Sequence, residues 1–309
     1  MKKDLLSIAD LDRGEIEHLI EQARRMKQEG ATPLLSGRTL AFLFVKPSLR
    51  TRVSFEIAMY QLGGHAIYLS PEEVGMGKRE PAADIARVLS RYVDGIAART
   101  FSQEAVQILA DNSSVPVINA LSNLEHPCQA LSDLFTIYEK KGRLPGLTLA
   151  FIGDGNNVAN SLLLSSCLVG MNFHFASPPG YEVKEEVLNR GKEFAALSGS
   201  QVKLTSDPYE AAKDADIVYT DVWASMGQEA EAEKRRRAFS NYQVDNKLLD
   251  LAKGDVLLMH PLPAHHGEEL SVGLLDDPRS VVFDQAENRL HLQKALLVEL
   301  LSNPTVSVK

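Results

Sequence analysis

Three clusters of side chains in this sequence have the types and spacing to do chemistry. The first follows an apolar run ending at Phe44, where Ser48, Leu49, Arg50 and Thr51 precede a helical apolar period that begins at Val53. Ser48 is placed as an N-cap, and Leu49, Arg50 and Thr51 fill the first turn, where unpaired N–H groups and the helix dipole favour an anion. Arg50 adds a full charge and a bidentate fork, so the spacing predicts a phosphate site. Arg52 and Glu56 stand at i,i+4, which predicts a surface ion pair instead of a ligand contact. The second cluster is His126-Pro127-Cys128-Gln129. Pro127 suits the first turn of a helix and sets His126 at its N-terminal edge, where the dipole lowers an imidazole pKa and keeps the ring a neutral donor. Cys128 has no base at a diagnostic spacing and reads as packing. The third is Gly153-Asp154-Gly155-Asn156-Asn157 after an apolar run. It looks like a dinucleotide fingerprint but has Val158 at the third glycine position, and the next strand ends in Ser177-Pro178-Pro179 with no acidic ribose ligand. His265 and His266, after His260, have no standard zinc spacing and no cysteine nearby, so no metal is expected.

These clusters need a frame to hold them. The 309 residues are 44% hydrophobic and 24% charged, which suggests two domains. Acidic side chains outnumber basic ones by 41 to 33, for a net charge of −8, so nucleic acid is not an expected partner. No apolar run of 18 predicts a membrane span, and the acidic start does not fit a signal peptide, so a cytoplasmic protein is expected. Two distant cysteines argue against a disulfide framework. Asp12 and Glu15 have capping-box spacing ahead of Ile16, Leu19, Ile20 and Ala23, which predicts a first helix. Strands are expected near 39–45, 66–69, 95–99 and 115–119, then, after the turn-rich 140–146, near 147–152, 173–176, 201–205, 217–220, 256–259 and 281–283. Helices alternate with most of them, and 293–302 reads as a closing helix. The fold class is therefore α/β, two doubly wound parallel-sheet domains with a cleft between them as the place for ligands. Domain limits of 1–140 and 141–289 follow, with 290–309 open to either unit and assigned beside the first. The charge-dense 229–239 reads as a solvated loop or helix face.

The Ser48–Arg52 segment resembles the S-T-R-T-R motif of the aspartate/ornithine carbamoyltransferases, with Leu49 where Thr is usual. The resemblance continues, in the family's order, at Arg99, His126–Gln129, Gly153–Leu162, Asp221–Glu229, His260–Pro263 and the segment ending at Arg289. The Asp221–Glu229 segment is the one most particular to the ornithine branch. The resemblance implies transfer of a carbamoyl group from carbamoyl phosphate to the δ-amine of L-ornithine, giving citrulline and phosphate, with no metal or organic cofactor. It implies Arg50, Thr51, Arg99 and His126 as catalytic residues. Ser48, Leu49, Lys78, Pro127, Cys128, Gln129, Pro261, Leu262 and Arg289 join them around carbamoyl phosphate. Asn157, Asp221, Ser225 and Met226 hold ornithine. Trimers or multiples of trimers are implied, with domain closure around the second substrate.

Two departures carry weight. Ornithine enzymes usually have Cys where this chain has Pro261, and proline offers no side-chain hydrogen bond, which leaves the Leu262 carbonyl. They commonly carry Gln at the position of Gly75. Lys78 instead falls where aspartate enzymes place a lysine that reaches a neighbouring subunit's site, with Arg79 a weaker candidate. Aspartate is the nearest rival substrate, but its second carboxylate would require added cations, and Gly153–Ser161 and Asp221–Glu229 supply none. Putrescine or an N-acylated ornithine, a nicotinamide enzyme and a silent carbamoyl phosphate binder complete the alternatives.

Overall fold

The computed structural model describes residues 1–30, 32–45, 47–77, 79–224 and 229–302. The chain divides into two units, residues 1–135 with 287–309, and residues 136–286. The first contains α1 (Arg13–Glu29), β1 (Thr39–Phe44), α2 (Leu49–Gln61), β2 (His65–Leu69), α3 (Pro71–Val74), α4 (Ala82–Leu89), β3 (Gly95–Arg99), α5 (Gln103–Asn112), β4 (Val117–Leu121) and the start of α6 (Pro127–Lys141). The second contains β5 (Thr148–Ile152), α7 (Asn157–Val169), β6 (Asn172–Ala176), α8 (Glu185–Ser198), β7 (Val202–Thr205), α9 (Pro208–Ala212), β8 (Ile217–Thr220), α10 (Ala232–Ala238), α11 (Asn246–Leu249), β9 (Leu257–Met259) and the start of α12 (Val282–Leu301).

The α1 capping box forms as its spacing predicts. Asp12 accepts from the Glu15 amide at 2.8 Å, and Glu15 accepts from the Asp12 amide at 2.9 Å. Ile16, Leu19, Ile20 and Ala23 are the buried stripe. In the first unit all four strands are parallel, in the order β2-β1-β3-β4. The strand β1 is buried along nearly its whole length, as expected where helices cover both faces of a parallel sheet. Leu5 pairs with Ile118 and so covers the outer edge of β4.

The second sheet is also parallel, in the order β7-β6-β5-β8-β9. Stacked rings of Phe151, Phe175 and Tyr219 fill one of its faces. The expected strand at 281–283 is not one. Leu258 accepts a ladder bond from Val281, but Gln285 already donates to the Val281 carbonyl at 2.8 Å, so α12 begins at Val282. A three-residue apolar run cannot tell a strand from a helix start, and the polar 284–288 continues a 3.6-residue period. The closing helix is therefore longer than the expected 293–302.

Each sheet reverses its strand order once, between β1 and β3 in the first and between β5 and β8 in the second. Ligands of doubly wound sheets bind outside the carboxyl ends of the strands at such switch points. Ser48–Thr51 follow β1, Arg99 ends β3, Asn157 follows β5 and Asp221 follows β8, whereas His126–Gln129 follow β4 and Pro261 and Leu262 follow β9.

Candidate active-site residues

At the first switch point, Ser48 caps α2 in an extended conformation. Its hydroxyl accepts from the Thr51 amide at 3.4 Å and donates to Thr51 Oγ1 at 3.0 Å. Thr51 is buried, Arg50 half-buried, and Leu49 turns its side chain outward at 74% exposure. The position where family members usually have Thr thus carries a side chain pointed at solvent. Arg52 pairs with Glu56 at 2.9 Å and lies over the Tyr68 ring, the surface role its spacing predicts.

Arg99 ends β3, at a register shift against β4. It is 6% exposed, its Nε has no hydrogen-bond partner, and burial with the charges of Arg289 and Arg50 brings its pKa down to about 10. His126 stands just before α6, where its carbonyl accepts from the Gln129 and Ala130 amides. Burial first, then Arg289 and Arg99, hold its pKa well below the ordinary value, so the ring is neutral. Cys128 is fully buried, its pKa pushed up to about 12 by burial, with Sγ 3.5 Å from the Asn119 carbonyl. It is packed in the core.

Arg289 joins this cluster through α12. Its Nη2 donates to Thr51 Oγ1 at 2.8 Å and its Nη1 to Gln129 Oε1 at 2.5 Å. Gln129 in turn donates to Asp133 at 2.8 Å. Gln129 Oε1 thus accepts from an arginine. Behind His126, the buried Glu125 accepts from Ser7 Oγ at 2.5 Å and from the Ile8 amide at 3.0 Å, anchoring this loop to the N-terminal segment. Sequence reasoning passed over Glu125 because its partners lie more than a hundred residues away.

At the second switch point, Asn156 caps α7, accepting from the Val158 and Ala159 amides at 2.9 and 3.0 Å. Its amide donates to Asp221 Oδ2 at 2.8 Å. Asn157, the expected substrate contact, is the first residue of α7 and half-buried. Asp221 follows β8, is 8% exposed, and also accepts from the Val222 amide at 2.8 Å. Burial raises its carboxyl above the ordinary range, while His260 and its hydrogen bonds oppose the rise. A Cβ on Gly155 would lie 2.3 Å from the Glu182 carbonyl, so this glycine admits neighbouring backbone and needs no nucleotide to explain it.

Asp154 meets Arg235 of α10 at 2.9 Å, and burial outweighs that pairing to push its pKa up to about 6. Arg235 also donates to the Trp223 carbonyl at 3.0 Å and lies over the Tyr181 ring. The charged face of 229–239 is solvated as expected, but one stripe of the segment is buried. Arg235 is 7% exposed and Phe239 fully buried, because a stripe at i,i+4 in an otherwise charged helix faces the core. Asn156, Asp154 and Arg235 were all missed. The Asx cap before an apolar helical run was the readable signal for Asn156.

Pro261 and Leu262 are half-buried. Leu262 has φ +57, the Leu262–Pro263 peptide is cis, and the turn is held by a bond from the Leu262 amide to His260 Nδ1 at 2.9 Å. Lys78, Ser225 and Met226 lie outside the described residues.

The comparisons with known proteins agree with one another. The carbamoyl-P binding domain model of the aspartate/ornithine carbamoyltransferases matches residues 3–139, and their Asp/Orn binding domain model matches residues 145–300. An ornithine carbamoyltransferase of Anoxybacillus flavithermus is 55% identical over 304 residues, covering 97% of this chain and 96% of that relative. One described as anabolic, from Pyrococcus furiosus, is 52% identical over 299 residues, covering 96% and 95%. The solved structure of a Pyrococcus furiosus ornithine carbamoyltransferase superposes with a TM-score of 0.93 at 51% identity, covering 96% of each chain. With Arg289 joined to Thr51 and Gln129 at one switch point and Asp221 fixed at the other, the chain belongs to the aspartate/ornithine carbamoyltransferase family.

Proposed function

We propose that this protein transfers the carbamoyl group of carbamoyl phosphate to the δ-amine of L-ornithine, giving L-citrulline and phosphate. The observation that carries the choice of amine is the charge of the second unit's switch point. Asp221 offers a carboxylate to a cationic α-amine, while the buried cation there, Arg235, is occupied by Asp154 and the Trp223 carbonyl. A second substrate carboxylate, as in aspartate, finds no cation in that cluster.

The chemistry rests on positioning and electrostatics. The first-turn amides of α2, Arg50, Arg99 and Arg289 neutralise the phosphate. The unprotonated δ-amine attacks the carbonyl carbon, and Thr51, Arg50, Arg99 and neutral His126 donate to the oxygen that becomes negative. Collapse breaks the C–O bond to phosphate, and the departing phosphate takes the amine proton. Leu262 contributes its carbonyl to the carbamoyl nitrogen or the amine, which Pro261 cannot do. Asn157, Ser225 and Met226 join Asp221 around ornithine. Separate incubations of the protein and carbamoyl phosphate with ornithine, N-acylated ornithine, putrescine and aspartate, followed by measurement of the ureido product, test this. Carbamoylation of aspartate and not ornithine overturns it.

The assembly we propose is a trimer, or a multiple of trimers, in the cytoplasm, with Lys78 completing a neighbour's site. The outward face of α2 supports a partner copy. Leu49, Val53, Ile57 and Tyr60 share one side of the helix and are 74%, 46%, 39% and 78% exposed. Among the described residues no helix is long and apolar enough to cross a membrane. Light scattering of Val53→Glu gives the monomer if this face is the interface. Verified mixed trimers of Lys78→Ala and Arg50→Ala subunits regain part of the activity if the site is shared.

A further inference from the structure

The segment after the Leu262 turn gathers three metal-binding side chains that the proposed reaction does not use. Gly267, at φ +90, closes a turn in which the Glu268 amide donates to the His265 carbonyl at 2.9 Å and the Gly267 amide to the Leu270 carbonyl at 2.7 Å. The turn sets His265 Nδ1 3.8 Å from Glu268 Oε2 and 4.0 Å from Glu269 Oε2. One ligand atom from each of the three residues lies within 4.8 Å of the others.

Glu269 gives this cluster its direction. It is fully buried, and its Oε1 accepts from His260 Nε2 at 3.1 Å and from the His265 amide at 2.6 Å. Its Oε2 is buried with no hydrogen-bond donor and faces the imidazole of His265. A buried carboxylate oxygen without a donor is costly, and a cation shared with His265 and Glu268 removes that cost.

We propose that His265, Glu268 and Glu269 form a binding site for a divalent transition cation, with zinc the best match. One imidazole and two carboxylates suit zinc, whereas magnesium and calcium favour all-oxygen shells. Zinc–ligand bonds of about 2.0–2.1 Å in a tetrahedron place ligand atoms about 3.3 Å apart. The present 3.8 and 4.0 Å close to that by small rotations of His265 and Glu268, whose side chains are 48% and 30% exposed. Both carboxylates already have outer partners. Glu268 Oε1 accepts from Arg236 Nε at 2.9 Å, and Glu269 Oε1 accepts from His260.

The site is joined to the Leu262 turn. Because His260 Nδ1 accepts from the Leu262 amide, His260 Nε2 must carry the proton given to Glu269. An ion on Glu269 therefore steadies a chain running from the carboxylate through His260 to a leucine held at φ +57, without touching the reacting atoms.

Equilibrium dialysis of the untagged full chain against zinc chloride tests the site, with magnesium and calcium chloride in parallel arms. The expected result is one zinc per chain, retained against magnesium and calcium. Affinity falls at least tenfold in His265→Ala and Glu268→Gln and is unchanged in His266→Ala. Glu269→Gln also disturbs His260, so substitution of the exposed His265 is the decisive variant. Zinc should raise the thermal midpoint of the parent protein and not of His265→Ala. Failure to bind stoichiometric zinc, equal affinity in His265→Ala, or loss of binding in His266→Ala overturns the proposal. None of these readouts depends on carbamoyl transfer, so failure here leaves the proposed reaction standing.

Discussion

The two switch points occupy equivalent places in similar sheets, yet they carry opposite charge. At the first, Arg99 and Arg289 are buried beside half-buried Arg50, and their mutual repulsion with burial brings the Arg99 pKa down to about 10. At the second, Asp154 and Asp221 are buried, and burial raises both carboxyls. A net charge of −8 does not describe either place. The difference shows how one acidic chain can prepare for an anion and a cationic amine at once. Each cluster is held under like-charge repulsion or desolvation, as the shifts of Arg99, Asp154 and Asp221 show.

The largest expected break in this comparison comes from Arg99→Met. Removing a preorganised charge at the developing oxyanion should lower kcat/KM by about 10³-fold. The ligand-free thermal midpoint should not fall, because repulsion falls too. In the parent, carbamoyl phosphate at a hundred times its Kd stabilises by about 2.7 kcal/mol, and in the variant far less at the same concentration. A calorimetric midpoint that drops in ligand-free Arg99→Met would show that the arginine is structural.

Arg235→Met should come next, costing about 3 kcal/mol in urea unfolding because it strands a buried carboxylate. The double variant Arg235→Met with Asp154→Leu should recover most of that. Failure to recover would mean that Arg235 acts through Trp223 and Tyr181 and not through charge.

Asp221→Asn should raise KM for ornithine by about ten- to a hundredfold, the worth of one charge-assisted hydrogen bond, with little change in KM for carbamoyl phosphate. Equal effects on both constants in steady-state kinetics would erase the division between the two switch points.

The smallest effect concerns His126. Its native pKa is depressed, so between the ordinary histidine value and that native value the unfolded chain binds a proton that the folded protein refuses. Stability is then lost as pH falls below about 6.5, by up to about 1.4 kcal/mol per pH unit. Urea midpoints of His126→Gln from pH 7 to 5 should fall less steeply than the parent's, and parallel curves would mean that His126 titrates normally.

Local signals carried far in this chain. The Asp12–Glu15 box, the Ser48 cap and the Arg52–Glu56 pair all connect residues within four positions, and each formed at its expected place. They are legible because capping and helical spacing act within one turn. The strand at 281–283 failed for the converse reason. Its three apolar residues satisfy a ladder bond and a helix start equally, and only the position of Leu258 beside it shows how far the ladder goes.

By itself, then, the sequence determined two alternating α/β units, a helix N-terminus suited to phosphate, and an ordered set of segments resembling one family. Tertiary structure decided which side chains meet. Arg289 reaches Thr51 across 238 residues, Arg235 reaches Asp154 across 81, and Asn156 reaches Asp221 across 65. The last two meetings depend on strand order, while Arg289 is carried to its partners by α12. Folding β3 beside β1, and β8 beside β5, is what brings the loops after them to one point in each sheet. Charge counted along a chain cannot report that. Only the folded sheets gather the cations at one switch point and the carboxylates at the other.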